Sequence, residues 1–163
     1  MNADSLLLSS NEIQRALGPE VRLHDSSKSA QVQALSDVLG ATAIETAFRS
    51  VSGVLQSETG DVALAVATLA LCFDSEERAS ATFNSVGQVA HLRTKVGESM
   101  VAVETVTAPS GLVSYWGYVH YGQVLMIVTL DTLDPQKISM SDFRAVVTLT
   151  SDRIERQLGR ASS

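Results

Sequence analysis

"GLVSYWGYVHYGQVLMIVTLD", residues 111–131, reads as two β-strands folded back on one another. It holds the only tryptophan, all three tyrosines and one of the three histidines. Aromatic and β-branched residues favour a pleated, half-buried surface. Tyr121-Gly122 supplies a tight turn at the centre, because glycine reaches the backbone angles that short hairpin turns require. On a strand, alternate side chains share a face. Leu112, Ser114, Trp116, Tyr118 and His120 therefore fall on one side, and Val113, Tyr115, Gly117, Val119 and Tyr121 on the other. A one-layer sheet has an apolar face beneath its helices and a wetter open face, so Trp116, Tyr118 and His120 are expected on the open side. Gly117 in mid-strand marks a bulge or a close approach.

Working outward, "SMVAVETV" is a third strand, ending at "TAPSG". There Pro109 and Gly111 fit positions i+1 and i+3 of a type I turn. "VALAVATLALCF", residues 62–73, is apolar on both parities, which suits a strand covered on both faces; its alanines also allow a helix. "ATAIETAFRSVSG", residues 41–53, alternates Ile44, Thr46 and Phe48 with Glu45, Ala47 and Arg49, the period of a half-exposed strand.

Three segments have helical signatures. Ser9 and Glu12 have capping-box spacing, and Leu8 and Ile13 are placed as a hydrophobic staple. Gly18-Pro19 is the stop, so residues 9–17 form a helix with Ile13, Ala16 and Leu17 inward. "DSEERASATFNSVGQVA" has Asp74 and Glu77 as a capping pair and a stripe of Ala79, Phe83, Val86 and Ala90. The last helix begins near Ser139 to Asp142, turns Phe143, Val147, Thr150, Ile154 and Leu158 inward, and ends at Gly159. "HDSSKS" reads as a loop, and Val32, Leu35, Val38 and Leu39 have near-helical spacing. Strand runs joined by short turns imply antiparallel pairing. The expected fold is a single α+β domain over residues 1–163: an antiparallel sheet of about five strands with helices packed mainly on one face.

The chain of 163 residues is 45% hydrophobic and 18% charged, the range of a globular domain. Its net charge of −6 argues against nucleic acid, which requires clustered Lys and Arg. Arg153, Arg156 and Arg160 cluster only as a solvated face in the last turns of a helix, where cations offset the macrodipole. One cysteine, Cys72, rules out an intramolecular disulfide and lies among apolar neighbours. No span is long enough to cross a bilayer as a helix, and "MNADSLLLSSNEIQ" lacks the features of a signal peptide. The chain is expected to be cytoplasmic, or extracytoplasmic if a signal or membrane helix has been trimmed away.

No phosphate loop, dinucleotide fingerprint or nucleophile elbow occurs. His24, His91 and His120 lie far apart without metal-ligand spacing, so neither a metal nor a cofactor is expected. Two candidate sites remain. Tyr115, Trp116, Tyr118 and His120 could line a ligand surface, since aromatic faces with polar tips combine contact area with a hydrogen bond. The competing reading of the same residues is packing. His91, Arg93 and Lys95 form a basic spot, either an anion site or a solvated connector.

"LLLSSNEIQRALG" resembles the opening of the extracytoplasmic sensor domains of actinobacterial serine/threonine kinases of the PknH type, and of related secreted lipoproteins. "FDSEERASATF", "VGESMVAV", "YWGYVHYGQVLMIVTLD" and "FRAVVTLTSDRI" resemble the later layout of that group. The resemblance implies an extracytoplasmic domain with a cleft for a small ligand, and it carries no ligand residues over. The sensor domains of those kinases hold paired cysteines in disulfides; this chain has Cys72 alone, which points to the broader sensor-like or lipoprotein-like relatives. The expected function is a non-catalytic sensor-like or ligand-binding domain. The alternatives are a protein-interaction domain, as a homodimer or with another partner, and an enzyme without a recognised motif.

Overall fold

The computed structural model describes residues 2–26, 34, 37–39, 42–86 and 93–161. It is an α+β fold built on one antiparallel sheet. A 3₁₀ turn, Ala3–Leu6, leads to α1, Ser10–Leu17, followed by β1, Val21–Asp25; β2, Glu45–Leu55; and β3, Val62–Cys72. Helix α2, Glu76–Val86, connects to β4, Arg93–Val96; β5, Ser99–Thr107; β6, Val113–Tyr121; and β7, Val124–Thr132. Helix α3, Met140–Ala161, closes the chain. The strands run in the order β1-β2-β3-β7-β6-β5-β4, every neighbouring pair antiparallel. Two meanders, β1–β3 and β4–β7, are thus joined where β3 meets β7.

The hairpin in 111–131 forms as its residues dictate: Tyr121 pairs with Val124, and Gly122 takes a φ of +54° in the two-residue turn between them. The Pro109 turn is closed by a bond from Gly111 N–H to Ala108 O at 2.9 Å. β3 is a strand and is covered on both faces. Leu64, Val66, Ala70 and Cys72 join the core on one side, and Ala67, Leu69, Leu71 and Phe73 the core on the other.

The sheet has seven strands rather than about five. The two additional strands are its edges, β1 and β4. "VRLHD" is too short for its alternation to stand out, and "RTKV" has no buried position. Short, charged edge strands resist pairing with other chains, and the same property hides them from pattern reading. The helices lie mainly on one face, as expected: α1, α3 and the N-terminal turn pack there with Phe143, Val146, Val147 and Ile154. The opposite face is not simply open, however, because α2 lies on it through Ala79 and Phe83.

Local signals account for the helix ends. Ser9 and Glu12 form the full capping box of α1, with Leu8 and Ile13 buried beside it. Ser139 and Asp142 form the same reciprocal pair at α3. At α2 the cap is Ser75, whose Oγ accepts from Arg78 N–H at 3.3 Å; Asp74 instead pairs with the Arg78 guanidinium at 3.0 Å. Helix α3 continues past Gly159 to Ala161, so that glycine is a helix residue and not its stop. Asp37–Leu39 are helical, while Val32, Leu35 and Ala90 lie outside the described residues.

The candidate site on the α2 face

Continuous register across β5, β6 and β7 puts Trp116, Tyr118 and His120 on the α2 face. No bulge interrupts β6. Gly117 instead marks a close approach: a Cβ there would lie 2.8 Å from Val147 Cγ2 and 3.1 Å from Phe143 Cζ on α3. The glycine lets α3 sit close to the sheet.

The four aromatic candidates have different surroundings. Tyr115 belongs to the α3 core, with its ring stacked on Phe143 at 5.7 Å and its hydroxyl donating to Ile138 O. Burial raises its pKa, and the charge of Asp142 adds to that. His120 and Tyr118 are covered on the α2 face, where an open surface was expected. His120 stacks on Phe83 at 5.5 Å, and its Nε2 lies 3.0 Å from Gly122 O. Tyr118 donates to Glu104 Oε1 at 2.7 Å; burial, and then that carboxylate, push its pKa up. Trp116 alone of the four is only half-buried on this face.

A gradient runs along every strand here. On β7, Leu125, Ile127 and Thr129 are buried and Asp131 is half-buried; just past its end, Leu133 is 63% exposed. On β5, Ala102 is buried, Glu104 half-buried and Val106 49% exposed. The cross-strand row Val106, Ser114, Asp131, Ala65, Ser52, His24 therefore lies toward solvent. The row above it carries Glu104, Trp116, Thr129, Ala67 and Ser50. Small side chains form the floor, and Trp116, Val106, His24 and the two carboxylates stand around it. This shallow surface offers one aromatic ring edge, hydroxyls at Ser52 and Ser114, and acceptors at Glu104 and Asp131. Ser114 shares the Trp116 face by strand alternation, whereas Glu104, Asp131 and Ser52 did not stand out in the sequence, because only cross-strand register brings them to that face.

Two residues of the basic spot are described, and they have different surroundings. Arg93 lies over the Phe83 ring at 5.2 Å and donates to Asn84 Oδ1 at 2.6 Å. Lys95 follows two residues along β4 and is exposed; His91 lies outside the described residues. Arg153 is paired as well, with Glu12 and with Ser5 O. Among the described residues, no group of three or more His, Cys, Asp or Glu could hold a metal ion. No helix among them is long and apolar enough to cross a membrane. Cys72 is buried, and burial, followed by the charge of Glu45, pushes its thiol up to about 11. An open cavity of about 780 Å³ lies at the β2–β3 turn, bordered by Glu20, Leu55, Glu58, Asp61 and Lys137.

The "VGES" step has a structural cause. Glu155 Oε1 on α3 accepts from Glu98 N–H at 2.8 Å, Ser99 N–H at 3.0 Å, Ser99 Oγ at 2.9 Å and Ser151 Oγ at 3.2 Å. Gly97, with a φ of +59°, leaves no Cβ to strike that carboxylate.

Among solved structures, the fold is similar to the extracellular domain of PknH from Mycobacterium tuberculosis. The match has a TM-score of 0.58 and 12% identity over 94% of this chain and 95% of that one. It is a distant structural resemblance. No family model matches the sequence, and no curated protein matches it.

Proposed function

We propose that this chain is a non-catalytic, extracytoplasmic, sensor-like domain that binds a small molecule on the shallow surface beside Trp116. The observation that carries this reading is the burial gradient of the α2 face. Trp116 stays half-exposed beside Glu104, Ser114 and Asp131, while Tyr118 and His120 are covered. An aromatic edge with nearby acceptors and hydroxyls suits a ligand having both a flat apolar side and hydroxyl or amine donors. The fold it shares with the extracellular domain of PknH supports the class and is silent on the ligand.

The test is an NMR titration with a panel of soluble sugars, amino acids and aromatic acids, read at the Trp116 indole N–H. The expected result is saturable shifts of that signal together with backbone signals of Glu104, Ser114 and Asp131. Shifts confined to the cavity at Glu20 and Lys137, or no saturable shift, would overturn it.

A second reading is favoured by exposed Val106 and Leu133 at the margin of the same surface. In that case the face is buried against a second copy. A dimer would bury about 1,200 Å² or more in total and would be seen by sedimentation at micromolar concentration.

A further inference from the structure

His120 is a titratable group held in an apolar place. It is 9% exposed, with Phe83 of α2 stacked on its ring and Met100 and Leu125 as its cross-strand neighbours. Its Nε2 faces a carbonyl, Gly122 O, which only accepts; the proton of the neutral ring therefore sits on Nε2 and Nδ1 is bare. Taking up a second proton places a full charge between the sheet and Phe83.

The charged groups around the ring do not all act in one direction. From α2, Glu76 favours the cation. From β4, Arg93 sits over the Phe83 ring, and Lys95 lies in the same cross-strand row beyond Met100; as cations, neither favours a second positive charge nearby. β5 and β7 present apolar side chains. Burial is the largest influence and holds the imidazole below its ordinary value of 6.5, against the Gly122 bond and Glu76.

Helix α2 is lightly attached. It buries two side chains, Ala79 and Phe83, and its leading end is tied to the β6–β7 turn. There Phe73 N–H donates to Gln123 O at 2.9 Å, and Gln123 Nε2 to Asp74 O at 3.3 Å. His120 bonds the adjacent carbonyl of that same turn, so one short turn carries both the histidine contact and the start of α2.

We propose that α2 is a pH-responsive cover, closed over the β6–β7 end of the sheet while His120 is neutral and loosened when His120 takes up a proton. The sign follows from linkage. The covered state resists the proton, so its stability is full above the ordinary histidine value. It is lost as pH falls from that value through the lowered one. Loosening α2 uncovers Tyr118 and Phe83, extending the surface beside Trp116 into an apolar strip.

The experiment is amide hydrogen exchange, corrected for intrinsic chemistry, at pH 7.5 and 5.0, with the His120 ring titrated by NMR in the same samples. In the wild type, α2 protection should drop as His120 titrates, by up to about tenfold per pH unit below the ordinary value, with α3 unchanged. In His120→Phe, which keeps an aromatic ring, α2 protection should be equal at the two pH values. His120→Gln, smaller and able to donate to Gly122 O, provides a second non-titrating variant. PH-independent α2 protection in the wild type, or a drop shared equally by α3, would overturn the proposal. So would pH dependence that persists in either folded variant.

Discussion

Tyr115 and Tyr118 stand three residues apart on one strand and sit in two different environments. Tyr115 faces α3, where its ring meets Phe143 and its hydroxyl meets a backbone carbonyl. Tyr118 faces α2 and gives its proton to Glu104, a side chain at the margin of an open surface. The α3 face is sealed by a 22-residue helix, by α1 and by the N-terminal turn. The α2 face is closed at one end by an 11-residue helix and opens toward Trp116 at the other. One sheet thus has a side sealed by helices and a side that stays partly open.

The first way to break that contrast is to cut a phenylalanine from each side. Phe143→Ala should lower unfolding stability by about 4 kcal/mol in urea denaturation, because its cavity is enclosed between α3 and the sheet. Phe83→Ala should cost about 2–3 kcal/mol, since a short, lightly held helix can settle into the space. Equal losses would remove the distinction. Next, Gly117→Ala drives a methyl into Val147 and should cost about 1–3 kcal/mol by thermal melting, lifting α3 and sparing α2.

Glu155 sharpens the comparison through pH. Burial pulls its carboxyl up, but bonds from Ser99, Glu98 and Ser151 outweigh that and hold it below the ordinary 4.5. Glu12 behaves alike: burial opposes, while Ser9 and Arg153 prevail. Both contribute stability that is present above the ordinary carboxyl value and lost as pH falls through their lowered ones. Glu155→Gln should cost about 1–2 kcal/mol at pH 7 and flatten the acid limb of stability below pH 4.5. The α3 face is therefore acid-sensitive lower on the pH scale than the α2 face with His120. The smallest effect is expected for Trp116→Ala, about 1 kcal/mol in urea denaturation, because a half-buried ring contributes only part of its transfer energy.

Much of the central fold was legible because it rests on local rules. The capping boxes at Ser9 and Ser139, the Gly122 turn and the double parity of β3 each depend on a few neighbouring residues. The edges were not legible. β1 and β4 are strands only because β2 and β5 offer them partners, and no residue in "RTKV" is buried. The candidate site divides along the same line. Trp116 drew attention by its type and Ser114 shares its face on the same strand, whereas Glu104 and Asp131 join them only through pairing across three strands. Covering of His120 by Phe83 likewise depends on where a helix 37 residues earlier in the chain comes to rest.

Tryptophan fluorescence tests the central claim most directly, since Trp116 is the sole reporter and stands where the α2 face opens. The emission of the dilute monomer should be quenched by acrylamide, with a Stern–Volmer slope between those of a buried indole and a free one. A blue-shifted emission that acrylamide does not quench would place the ring in a sealed core and contradict an open recognition surface on this side of the sheet.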